Sequence, residues 1–180
     1  MLWFKKTVSI FFVVAVVVAT ATACTGFRPL YGRDGGTHSV AALELARTKI
    51  LPIEDRMGQQ LRNNLFDLMN PRGEPARPAY VLSVTLSTST ESLGLRKTGF
   101  ATRANLHATA SLTLTDTRTG KVLLNGSHKI IGGYDLLDSE FATLTSEKNV
   151  KTRAATELAH AIRSQLSVYF LQNAKKTKPR

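Results

Sequence analysis

The chain has 180 residues, enough for one domain behind a short leader, and its 24 lysines and arginines exceed its 13 acidic residues. The resulting net charge of +11 favours anionic partners: nucleic acid, phospholipid headgroups or phosphorylated glycolipids. The sequence contains one cysteine, which excludes an internal disulfide.

The amino-terminal segment has the three parts of a secretory signal. Lys5 and Lys6 give it a positive start, residues 8–19 are almost wholly apolar, and residues 20–23 are small. The cysteine follows directly, as Cys24, and supplies a thiol for acylation. The pattern therefore predicts a lipoprotein signal peptide over residues 1–23 and lipid attachment at Cys24, with a fatty acid such as palmitate on the new amino terminus.

Two details of this segment bear on its processing and destination. Ala21 stands where lipoprotein signals usually have leucine, and the alternative is an uncleaved anchor, for which residues 7–23 are about the shortest span able to cross a bilayer. Thr25 is not the aspartate that retains many lipoproteins at the inner membrane. We therefore expect a lipid-anchored protein on the periplasmic side of the outer membrane, where nucleic acid is not a partner.

The first part of the mature chain alternates between flexible and regular segments. Residues 24–45 are interpreted as a lipidated linker, because glycines and a proline interrupt them. Residues 48–53 predict a short strand, and Asp55 is placed to cap a helix whose apolar residues recur at helical spacing: Met57, Leu61, Leu65 and Leu68. Residues 71–79 are proline-rich and are interpreted as a loop.

The second part predicts three strands and a helix. Apolar residues alternate with serine and threonine over residues 80–87 and 105–115, a turn occupies 116–120, and a returning strand covers 121–131. The last helix has an apolar residue at nearly every fourth position, namely Val150, Ala154, Leu158, Ile162, Leu166 and Phe170, after a cap at Thr145 or Ser146.

The order of elements predicts the fold class. It is α+β, with two helices packed on one face of a four-stranded, mostly antiparallel sheet in the order β-α-β-β-β-α. The domain is expected over residues 46–172, followed by a basic disordered tail over residues 173–180.

The sequence offers no catalytic or metal-binding constellation. The four histidines, His38, His107, His128 and His160, are scattered, and the acidic cluster of Asp135, Asp138 and Glu140 lacks the spacing of a calcium loop. We therefore expect a protein that is not an enzyme and that has no metal and no cofactor. An exported hydrolase using Asp135 or Asp138 is a further alternative.

A basic loop is the candidate binding site. Arg96, Lys97 and Arg103 flank residues 98–100, between the second and third strands. Guanidinium and ammonium groups bind phosphate through charge-assisted hydrogen bonds, and Phe100 can contact an apolar surface. The alternative is an ordinary solvated turn.

The mature chain resembles the lipopolysaccharide-assembly lipoproteins of the LptE family in their alphaproteobacterial form. The residues that carry the resemblance are the Cys-Thr-Gly-Phe-Arg-Pro-Leu-Tyr-Gly segment from Cys24 to Gly32, the Gln-Gln-Leu-Arg-Asn helix at 59–63, the long serine- and threonine-rich strands and the final helix. The fold of that family, two helices on a four-stranded sheet, agrees with the fold predicted above.

The resemblance implies a function and partners. Members of the family sit inside the outer-membrane β-barrel LptD, assist its assembly and bind lipopolysaccharide, whose lipid A phosphates suit a basic domain. The family's basic residue between the second and third strands is matched by Arg96, with Lys97 beside it, whereas its second basic position, before the last helix, falls at Thr145 or Ser146 with Lys148 nearby. The alternative function is that of an accessory lipoprotein of an ABC-type lipid or solute transporter.

Overall fold

The computed structural model describes residues 37–95 and 101–177, which form three helices and four strands. In chain order these are α1 (Thr37–Ala46), β1 (Thr48–Ile50), α2 (Arg56–Met69), β2 (Tyr80–Leu95), β3 (Ala101–Asp116), β4 (Val122–Asp135) and α3 (Glu140–Thr177). The α+β class and the mostly antiparallel four-stranded sheet are confirmed.

The strands lie in the sheet in their chain order, β1-β2-β3-β4. The short β1 is parallel to β2, with Thr48 opposite Tyr80, and the other two pairings are antiparallel. Leu114 of β3 lies between Leu82 of β2 and Leu124 of β4, so one row of leucines crosses three strands. Since side chains alternate between the faces of a strand, this register places the even-numbered residues of β2 and β3, and those of β4 from Leu124 onwards, on one face.

Helix α3 covers that face and carries most of the core. It packs on β3 and β4, while α1 and α2 pack on α3 and α2 also contacts β1. The alternating residues of β3 from Ala104 to Leu114 are buried beneath it, and Leu158, Ile162 and Leu166 of α3 are fully buried. Helix α3 therefore lies directly on the strands, whereas α1 and α2 join the core mainly by packing on α3.

Most elements extend beyond the bounds that the sequence predicts, and β3 starts at Ala101 instead of residue 105 while β4 ends at Asp135 instead of residue 131. Helix α1 lies in the range assigned to the linker, 24–45, and is held by Ala41 and Leu45, which are buried in the core. Strand β2 continues eight residues past Ser87, and α3 starts before the predicted cap and runs to Thr177, into the range assigned to the tail. These extensions depend on neighbouring elements, so local periodicity does not predict them.

Helix α2 begins where the sequence predicts, but Asp55 does not cap it as expected. Its side chain accepts no capping hydrogen bond, and its carbonyl oxygen accepts from the backbone amide of Gln59 at 2.9 Å. Asp55 has φ 67° and ψ 162°, a backbone conformation that residues other than glycine rarely adopt. The residue turns the chain sharply from Ile53 into the helix, so its backbone conformation rather than its carboxylate sets the start of α2.

The predicted turn at 116–120 is confirmed. Asp116 Oδ1 accepts hydrogen bonds at 2.8 Å from the backbone amides of both Arg118 and Thr119, and Gly120 has a positive φ of 67°. The hydrogen bond from Thr119 is the main reason that the pKa of Asp116 lies below its usual value. The aspartate and the glycine thus supply the turn chemistry that joins β3 to β4.

Asn70 ties the end of α2 to the junction between α1 and β1. It is buried, and its Nδ2 donates to the carbonyl oxygens of Ala46 at 3.1 Å and Thr48 at 3.3 Å. We expect Asn70→Ala to lower the free energy of unfolding by about 1–3 kcal/mol, because it leaves two carbonyl groups without a donor. Urea unfolding of the two proteins measures this difference, with the exposed Asn125→Ala as control; equal midpoints for Asn70→Ala and the parent would contradict it.

Candidate functional site

Of the residues singled out from the sequence, Cys24, Arg96 and Lys97 lie outside the described residues. Arg103 is described, and it lies in β3 rather than in the loop where the sequence placed it. Its Cα is paired with Leu93 of β2 and Asp135 of β4. Arg103 is therefore positioned by the sheet, close to the end at which β2 and β3 are joined.

The side chain of Arg103 crosses the neighbouring strand. A Cβ added to Gly133 would lie 2.8 Å from Nη2 of Arg103 and 3.3 Å from Oδ1 of Asn105. The arginine thus rests over a glycine of β4, on the sheet face opposite α3. Its guanidinium is presented at the surface, where it can accept an anionic partner.

The face that carries Arg103 is lined by small hydroxyl groups. Across the three long strands its side chains include Ser83, Thr85, Ser87, Ser89, Thr109, Ser111, Thr113, Asn125 and Ser127. Nε2 of His107 lies 3.2 Å from Oε2 of Glu91 on the same face, and Lys129 is exposed there. Within the part of the chain that the structure describes, no helix covers this face, which is mainly polar but includes the exposed Ile131.

The start of α3 projects beyond the core at the same end of the sheet as Arg103. Val150 is the first residue of α3 that is buried, so ten residues precede it. Leu137, Phe141 and Leu144, in and just before this part of the helix, are 50%, 79% and 56% exposed. A contiguous exposed apolar surface of this kind marks an interaction site more often than scattered single residues do.

Two grooves flank this projecting part of α3. The first lies towards β4 and is polar, lined by Gly133, Tyr134, Asp135, Ser146, Asn149, Thr152 and Arg153. The second lies towards α2 and β2 and combines charged and apolar side chains: Asp55, Arg56, Met57, Gln60, Thr88, Leu144, Glu147, Lys148 and Lys151. Both grooves and the exposed apolar residues therefore lie at the same end of the molecule.

Asp55, Met57 and Lys148 of the second groove are singled out by the sequence, but the groove that they form with Leu144 and Lys151 was not predicted. A signal was present, because Phe141, Leu144, Lys148 and Lys151 have the alternating three- and four-residue spacing of a single helix face. The predicted helix begins after Thr145 or Ser146, and its apolar period starts at Val150, so Phe141 and Leu144 fall outside it.

The polar residues beneath α3 are structural. His128 lies on the helix-covered face, half-buried, with Nε2 2.7 Å from Oε1 of Gln165. Among residues 37–95 and 101–177, no three histidine, cysteine or acidic side chains are grouped so that they could hold a metal ion.

In the described ranges, no helix is both long and apolar enough to cross a membrane.

Comparisons with known proteins identify the fold. No protein-family model matches the sequence, and no curated protein is similar enough to match it. Among solved structures, a protein of Caulobacter crescentus CB15 provisionally described as a lipoprotein is 22% identical, with a TM-score of 0.61 over 74% of this chain and 97% of that one. The rare lipoprotein B of Shewanella oneidensis is 13% identical, with a TM-score of 0.56 over 71% and 98%.

A minor lipoprotein of Acinetobacter baumannii has the same architecture. It is 18% identical, with a TM-score of 0.55 over 68% of this chain and 92% of that chain. At such identities the likeness shows a shared fold, and the coverage shows that nearly the whole of each relative corresponds to the domain described above.

Proposed function

We propose that this protein is an outer-membrane lipoprotein subunit of the lipopolysaccharide translocon, which binds lipopolysaccharide and assists assembly of the LptD barrel. The observation that carries the proposal is the fold, which the chain shares with bacterial lipoproteins, rare lipoprotein B among them. It agrees with the fold expected from the resemblance to the LptE family.

The amino terminus supports the lipid anchor. A positive start, an apolar segment and small residues precede Cys24, the one cysteine of the chain. A diacylglycerol and a fatty acyl group at Cys24 would anchor the protein durably, because two attached lipids hold far more firmly than one. The proposed place is the periplasmic side of the outer membrane, since Thr25 is not an aspartate.

The surface suits the two proposed partners. The face lined by hydroxyl groups has small side chains that can donate and accept hydrogen bonds, so it can lie against a polar protein wall such as the inside of a barrel. Arg103 is exposed at the end of this sheet, and Arg96 and Lys97 follow β2 in the chain. These three basic residues are the proposed contacts for the phosphates of lipid A.

The barrel partner is tested by co-purification. The full chain, tagged at its carboxyl terminus, is isolated from detergent-solubilised envelopes, and its partners are identified by mass spectrometry. Recovery of the outer-membrane barrel LptD is expected. Recovery of an inner-membrane permease instead would favour the accessory subunit of an ABC-type transporter and would contradict the proposal.

The lipid contacts are tested by removing charge. We expect Arg96→Gln with Lys97→Gln to weaken lipopolysaccharide binding about 10- to 100-fold, because each charge-assisted hydrogen bond to phosphate contributes more than a neutral one. The matched control is Arg118→Gln with Lys121→Gln, which removes the same charge from the turn between β3 and β4. Surface plasmon resonance of both variants measures the difference; equal losses would mean that only overall charge matters and would contradict the assignment.

A further inference from the structure

The buried face of α3 continues past the end of the core. Ala155, Leu158 and Ile162 are fully buried against the sheet and α2. Counting back from them in steps of three and four residues leads through Lys151, Lys148, Leu144 and Phe141, which therefore share their side of the helix. This face, called here the α3 seam, is covered from Val150 onwards and exposed at Leu144 and Phe141.

The exposed part of the α3 seam is apolar at one end and cationic at the other. Leu144 borders the groove between α2 and α3, together with Met57. Arg56, Lys148 and Lys151 bring three positive charges to the same groove, and Asp55 and Glu147 bring two negative ones, so its net charge is +1. Lys151 is paired with Glu147 at 2.5 Å, but within the described residues neither Arg56 nor Lys148 makes an ion pair. The groove therefore keeps a net positive charge that can attract an anion, beside an apolar strip.

This combination fits an anionic amphiphile. A phosphate requires donors with positive charge, and Arg56 and Lys148 supply them in a groove. An acyl chain requires apolar surface that leads away from the phosphate, and Leu144 and Phe141 supply it along the helix. A purely apolar partner would leave the two cations unused, and a soluble anion would leave the apolar residues in water.

We infer that the exposed α3 seam binds lipopolysaccharide through one acyl chain of its lipid A, laid along Leu144 and Phe141, with a lipid A phosphate beside Arg56 and Lys148. This inference rests on the proposed function. Lys148 lies near the second basic position that the resemblance implies, so the inference adds the contact with the hydrocarbon of the lipid and the phosphate contact at Arg56. The seam starts at the end of the sheet where Arg103 lies, so both sets of contacts belong to one end of the molecule.

The test separates acyl chains from phosphates. Binding of lipid A and of fully deacylated lipopolysaccharide, which keeps the phosphates, is measured by surface plasmon resonance on the full chain in non-ionic detergent. We expect Phe141→Ser with Leu144→Ser to weaken binding of lipid A at least about tenfold and to leave binding of the deacylated form unchanged. Lys148→Gln should weaken binding of both forms.

The control variant is Leu43→Ser, which removes a leucine of α1 that is 62% exposed and should leave lipid A binding unchanged. Both target side chains are exposed, so the melting temperature of the double variant should equal that of the parent.

Other results would overturn the inference in distinguishable ways. If the parent binds lipid A and the double variant binds it equally well, the α3 seam is not the contact and the proposed function stands. If the parent binds neither form of the lipid, the proposed function fails and the inference fails with it. If the double substitution instead abolishes a dimer of the parent in light scattering, or its binding to phosphatidylglycerol vesicles, the seam serves a second copy or a bilayer.

Discussion

Gly132→Ala is expected to lower the free energy of unfolding by about 1–3 kcal/mol, whereas Gly133→Ala next to it should change it by less than about 0.5 kcal/mol. The two glycines lie on opposite faces of β4. A Cβ on Gly132 would overlap Cγ2 of Val150, a stiff and buried side chain of α3, so the helix or the strand has to move. A Cβ on Gly133 would meet the end of Arg103, which is flexible and exposed, and would lie 3.3 Å from Oδ1 of Asn105.

Thermal unfolding measures this difference. For a chain of this size the loss at Gly132 corresponds to about 3–10 °C in melting temperature. Val150→Ala makes room for the added methyl group, so combining it with Gly132→Ala should cost less than the sum of the two single changes. Additive losses of stability, or an equal loss for Gly133→Ala, would contradict the conclusion that α3 packs against β4 at Gly132.

Cys24→Ser is expected to stop processing of the chain completely. Oxygen in place of the sulfur cannot carry the thioether-linked diacylglycerol, so the variant loses the lipid on which we expect cleavage to depend. The variant should therefore accumulate at the size of the full precursor, with residues 1–23 retained.

Mass spectrometry of the amino terminus checks this prediction. The parent should begin at Cys24 with diacylglycerol and a fatty acid attached, and the variant should begin with the signal. Ala23→Ser, which keeps a small residue before the cysteine, is the control and should be processed normally. An unmodified cysteine in the parent would contradict lipidation and would favour the uncleaved anchor.

Periodicity in the sequence predicted the central part of the sheet and much of the core. The alternation that ends at Leu114 and the spacing of Leu158, Ile162 and Leu166 predicted which side chains are buried, because burial of one face imposes these periods directly. The turn at Asp116 was predicted from the residue types that such a turn requires.

The sequence did not predict elements whose stability comes from distant partners. Helix α1 has no acidic residue in its first turn and no basic residue in its last, and it is held by burying Ala41 and Leu45 against a helix about a hundred residues later. The first turns of α3 have no buried residue, and the two large apolar residues that share one of their faces, Phe141 and Leu144, are both exposed. Arg103 was predicted to flank the loop between the second and third strands, whereas pairing with Leu93 and Asp135 extends β3 to include it.

Helix α3 follows every described element that packs on it, and this has a consequence for the order in which the protein can fold. Helices α1 and α2 and strands β3 and β4 all pack on α3, and β1 pairs with β2, some thirty residues later. Contacts between residues far apart in sequence form late, because the intervening chain must first be brought together. If the chain crosses a membrane with its amino terminus first, as proposed, these earlier elements lack α3 until it arrives, so the core cannot close before then.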